Sequence, residues 1–147
     1  MKSLKNRILG LVAVGFLAIG FGAGASQAQS VYKGSFTLDQ DVRWQNATMP
    51  AGHYTFTVES TTHTKPVLVS GPGGQIFQMP MMTQQTNLGT QSKLILEWRG
   101  EELCVHEMDL GQPGLNILYR VPKATENDKL LAKAHTGSQE ILIAMAK

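Results

Sequence analysis

Residues 93–110 (KLILEWRGEELCVHEMDL) can pair as two antiparallel strands in a single register. With Gly100 and Glu101 at the centre of a two-residue turn, Arg99 faces Glu102, Trp98 faces Leu103 and Leu96 faces Val105. Side chains alternate across a strand, so the apolar residues of both strands then share one face, and a slip of one residue would turn them all to solvent. Arg99 opposite Glu102 is expected to add a favourable cross-strand ion pair. A chain with this hairpin at its centre is committed to a sheet with one buried face.

The same period of two recurs along the chain, with turn residues between the runs. Residues 31–38 set Tyr32, Phe36 and Leu38 against Lys33, Ser35 and Thr37, and Gly34 marks a bulge or a close contact. A second strand begins at residues 42–44 and ends near Pro50-Ala51-Gly52, after which Tyr54, Phe56 and Val58 point inward. Residues 66–70 and 75–79 flank Gly71-Pro72-Gly73-Gly74, which predicts a hairpin with a four-residue loop. Gln112-Pro113-Gly114 turns the chain into residues 115–121, and residues 140–145 form a further apolar strand. Residues 78–90 lack a strand pattern, and residues 125–134 suit a short helix or a polar loop. The sum is an all-β domain of about eight or nine strands, a single antiparallel β-sandwich or small barrel spanning residues 29–147. Its expected core comprises Phe36, Tyr54, Phe56, Val58, Leu94, Leu96, Trp98, Leu103, Val105, Ile117, Tyr119, Ile141 and Ile143.

The first 28 residues read differently. Lys2, Lys5 and Arg7 precede 14 uncharged residues at 8–21, and the stretch closes on Ser26-Gln27-Ala28, a small-x-small cleavage site. That is the layout of a secretory signal peptide at residues 1–28, with a mature start at Gln29 and a periplasmic or secreted product. A retained anchor is the alternative, since 18 apolar or small residues stand at the lower edge of a membrane span. All three cations of the leader leave with it. Residues 29–147 then carry 10 basic against 11 acidic side chains, which argues against a dedicated nucleic-acid binder, and no membrane association is expected after cleavage. One cysteine, Cys104, rules out an internal disulfide and a multi-cysteine zinc site. Outside the cytoplasm it could join two chains as a dimer.

Residues 44–56 (WQNATMPAGHYTF) place Trp44 ahead of Pro50-Ala51-Gly52-x-Tyr54 and Phe56. This piece resembles a pattern of small exported bacterial β-sandwich proteins, with Met49 where leucine is usual. The resemblance implies the fold and the address. It implies no activity and no site residue.

No catalytic constellation accompanies the strands, so the first reading is an exported, non-catalytic module that binds an unknown protein or envelope component, or plays a structural role there. A copper(I) site is the main alternative. Cys104, His106 and Met108 are expected on one strand face, and thioether, thiolate and imidazole donors suit Cu(I). Positions four apart lie ~13.6 Å from one another, so Cys104 and Met108 cannot share an ion, and His106 and Met108 would take sulfurs from Met79, Met81 or Met82, with Cys104 as an alternative ligand. That set is similar to exported copper(I) chaperones, which use His-x-Met and further methionines on a β-sandwich. Trp44, Tyr54, Trp98 and Tyr119 allow a carbohydrate platform as a third reading.

Overall fold

The computed structural model describes residues 31–89, 91–123, 125–126 and 137–147. The leader at residues 1–28 lies outside them, as does the segment at 125–134 beyond Thr125 and Glu126. Eleven strands make up the described fold: β1 (Tyr32–Leu38), β2 (Val42–Trp44), β3 (Ala47–Met49), β4 (Gly52–Val58), β5 (Val67–Gly71), β6 (Gly74–Gln78), β7 (Met82–Gln85), β8 (Ser92–Arg99), β9 (Glu102–Leu110), β10 (Leu115–Leu118) and β11 (Ser138–Met145). Nine of them follow the order β3-β2-β9-β8-β11-β1-β4-β5-β6 in one nearly closed, barrel-like sheet. β10 adds to the far half of β9, and β7 adds to β10. All pairings are antiparallel except a single parallel bridge from Arg43 to Cys104. β11 turns the corner of the barrel, pairing with β8 over Ser138 to Ile143 and with β1 at Ala144 and Met145.

The expected hairpin register is present, with Arg99 opposite Glu102, Trp98 opposite Leu103 and Leu96 opposite Val105. The ion pairing within it is different. Arg99 binds Glu97 of its own strand at 2.9 Å, and Glu102 is taken by Arg43 at 2.7 Å. Beyond Leu96 the pairing shifts, since Ile95 faces Glu107 and His106 is left over as a bulge. Strict alternation from Leu103 and Val105 would carry Glu107 and Asp109 into the core, at the cost of burying two carboxylates. The extra residue reverses the parity, so Met108 and Leu110 are buried and the two acids are turned outward.

Three other expectations are corrected. The strand read from Val42 toward Pro50 is a hairpin, with Gln45 and Asn46 at its turn and Gln45 at φ 55°, a sign of φ that two-residue hairpin turns require. Gly71 pairs with Gly74, so the next hairpin turns on Pro72 and Gly73 rather than on four residues. Residues 82–85, read as patternless, form β7 because β10 offers them an edge.

The core follows the apolar faces. Eleven of the thirteen expected residues are buried, while Trp98 and Ile141 are partly buried against them. Trp44, Leu38, Val67, Val69, Met108 and Leu110 join the core as well. The Pro50-Ala51-Gly52-x-Tyr54 segment now has a physical role. The Tyr54 hydroxyl donates to Pro50 O at 2.8 Å, Asp41 Oδ1 accepts from Ala51 N at 3.2 Å, and the Tyr54 ring covers Gly71 so closely that a Cβ there has no room. The motif locks the β1–β2 connection, β4 and β5 together.

Candidate functional site

β6 and the β2–β3 hairpin meet without a strand ladder. Side chains close the gap. The buried Gln78 amide donates to Trp44 O at 3.1 Å, Gln45 Nε2 donates to Met79 O at 2.5 Å, and Met79 N donates to Gln45 Oε1 at 3.2 Å. On the far side Tyr119 N donates to His106 O and Met81 N to Leu118 O, at 2.9 and 2.8 Å. These bonds fix the start of two segments: residues 79–81, which leave β6, and residues 120–123, which leave β10. Between them, with Arg43, Gln45 and Asn46 as the third side, lies an open cleft of about 1230 Å³.

The cleft has a marked charge. Among the described residues Arg43, Arg120 and Lys123 line it, and no carboxylate does. Arg43 is held by Glu102 and also donates from Nε to Gln45 O at 3.1 Å; the Glu102 contact lifts its pKa further above the ordinary guanidinium range. Among the described residues neither Arg120 nor Lys123 has an ion-pair partner. Gln45 and Asn46 add uncharged polar groups, and the remaining lining is apolar: Phe77, Met79, Pro80, Met81, Val121 and Pro122. Burial of Tyr119 next to Val121 makes Arg120 point outward, as alternation along an extended segment demands. The site can therefore offer an anion two cations that no described residue pairs, beside an apolar wall.

The copper set expected from sequence is not brought together. Met108 is fully buried, opposite Leu94 and Ile117 on the core side of the sheet. His106 stands at the bulge with Nδ1 3.9 Å from Glu97 Oε2. Met79 and Met81 line the cleft, and Met82 sits in β7 with its sulfur accepting from Gln84 Nε2 at 3.1 Å. Among the described residues no group of three His, Cys, Asp or Glu side chains converges as metal ligands do. The sugar platform is not assembled either, because Trp44, Tyr54 and Tyr119 are core residues.

Cys104 is 1% exposed, set between Arg43 and Glu97 in neighbouring strands and roofed by their ion pairs. Burial pushes the thiol pKa up and Glu102 pushes it further, against a smaller pull from Arg43 and Arg99. The folded domain thus withholds the sulfur that a disulfide-linked dimer needs. An aromatic disulfide reagent should label native protein far more slowly than protein in denaturant, where one thiol per chain reacts. Rapid native labelling would show that the roof opens.

No family model, curated protein or solved structure matches the chain. Arg43, Gln45, Arg120 and Lys123 were not visible as a group in the sequence, where 77 positions separate the two arginines. Met79 and Met81 did stand out there, though as metal ligands rather than as a wall.

Proposed function

We propose that this chain is an exported, non-catalytic binding module of the cell envelope, and that it holds an anionic ligand in the cleft. The supporting observation is the lining among the described residues: three cations, one of them paired with Glu102, and no carboxylate, on a mature chain that carries one more acid than base. Such local excess against the overall charge is costly unless a partner of opposite sign uses it. An anionic aromatic dye, anilinonaphthalene sulfonate, tests the site. It should bind at one saturable site and lose roughly tenfold in affinity, about 1.4 kcal/mol, in the double variant Arg120→Glu/Lys123→Glu. Lys33→Glu, an exposed reversal on β1, should leave binding unchanged. Non-saturable binding, or equal loss in the control, would remove the proposal.

Export rests on residues 1–28, read as a signal peptide. Protein recovered from the periplasm or medium should begin at or near Gln29. Intact Met1 in washed membranes would establish an anchored form instead.

A further inference from the structure

We infer that the ligand is a single anionic amphiphile, a carboxylate or phosphate headgroup on an acyl chain, bound as a monomer; this rests on the cleft being the binding site. The hydrogen-bonding capacity of the walls narrows the ligand class. Along residues 79–81 every backbone donor is spent or missing: Met79 N–H goes to Gln45 Oε1, Pro80 has none, and Met81 N–H goes to Leu118 O. A peptide that adds as a strand needs free N–H and C=O groups along the edge it meets, and this wall lacks the donors. Pro122 removes another on the opposite wall. A neutral polar ligand such as a sugar finds few uncharged partners in the described lining, because the Gln45 amide is committed at both ends to Met79 and Asn46 is the other such side chain. What remains for polar recognition is mainly charge.

That charge sits beside apolar groups that adapt to shape. Phe77, Met79 and Met81 are 67%, 48% and 51% exposed, and with Met82 they place four large apolar side chains within six residues. Such a patch is unfavourable in water and marks a surface that is covered in use. Thioether side chains follow irregular apolar surfaces well. The open cleft, at about 1230 Å³, has room for more than a headgroup. A bare phosphate or carboxylate would leave most of it empty. The headgroup therefore belongs at Arg120 and Lys123, and the chain along Phe77, Met79 and Met81. Uptake as a monomer fits better than docking on a bilayer: the apolar groups line a concavity, and the mature chain lacks the net positive charge that draws proteins to anionic membranes.

Calorimetric titration of the purified protein tests this with octanoate, decanoate, dodecanoate and dodecyl phosphate, each below its micelle concentration. Dodecyltrimethylammonium, dodecyl maltoside, inorganic phosphate and phosphatidylglycerol vesicles serve as comparisons. Dodecanoate or dodecyl phosphate should bind one per chain, with each methylene removed weakening binding roughly two- to fourfold. Arg120→Glu/Lys123→Glu should weaken every chain length alike, roughly tenfold. Met79→Ser/Met81→Ser should flatten the dependence on chain length, with circular dichroism confirming that both variants keep the fold. Cationic and neutral amphiphiles should bind at least tenfold more weakly. Affinity independent of chain length, or matched by phosphate alone, would overturn the acyl chain while leaving an anion site. Binding to vesicles but to no monomer would overturn uptake of a single molecule. Binding unaffected by the charge reversal would overturn this inference and the anion site together.

Discussion

Replacing Trp44 by alanine should cost about 3–5 kcal/mol, the range for truncating a buried aromatic. Trp44 is fully buried, stacks edge-on against Tyr119 at 4.9 Å between centroids, and lies 6.1 Å from Phe36. β2 is three residues long and has one bridge to β9, so packing of the Trp44 ring is a main tie between the β2–β3 hairpin and the core. The loss is a large part of the ~5–15 kcal/mol that stabilises a typical domain. Urea titration followed by circular dichroism should place the midpoint well below that of the parent. A shift worth less than ~1 kcal/mol would mean that neighbouring side chains refill the space. Since the Trp44 carbonyl receives Gln78 and the next residue clamps Met79, cleft binding should weaken along with stability.

The second large effect is an alkaline limb of stability set by Tyr119. Burial pushes its phenol far above the ordinary tyrosine range, and its hydroxyl has no hydrogen-bond partner among the described residues. The unfolded chain releases this proton near pH ~10, whereas the folded chain retains it. Above that pH the unfolded state holds fewer protons, so stability falls as pH rises, by about 1.4 kcal/mol per pH unit for this group. Below pH ~10 both states are protonated and the contribution is constant. Tyr54, raised by burial and then by Asp41, bends the curve in the same direction. Tyr119→Phe should stay within about 1 kcal/mol of the parent at pH 7 and lose about 2–3 kcal/mol less between pH 10 and 12. Denaturant midpoints across that range give the slopes. Equal slopes in parent and variant would show that the phenol ionises without unfolding.

The sequence was most legible where the determining residues are contiguous. The register of β8 and β9 follows from 18 consecutive residues, because a single pairing puts Leu94, Leu96, Leu103 and Val105 on one side. The bulge at His106 escaped a reading based on ideal alternation, although its cause is local: Glu107 and Asp109 resist burial, and Met108 and Leu110 do not resist it. That one inserted residue dismantles the expected Cys104-His106-Met108 face. β3 and β7 were missed because three- and four-residue strands carry too little alternation to be seen, and each exists through the partner beside it. The cleft was the least legible feature. Its cations come from β2 and from the segment after β10, and closure of the barrel, which no local pattern encodes, is what makes them neighbours.

β11 is made after every other strand of the sheet, yet it lies between β8 and β1. During synthesis, the first strand and the central hairpin must wait for residues 138–145 before their edges are covered. Premature termination ahead of Ser138 would yield two unpaired edges, a template for aggregation rather than a smaller domain. Delivery of the chain is therefore separated in time from formation of the barrel, and a holding factor that shields strand edges during that interval would govern the yield of folded protein.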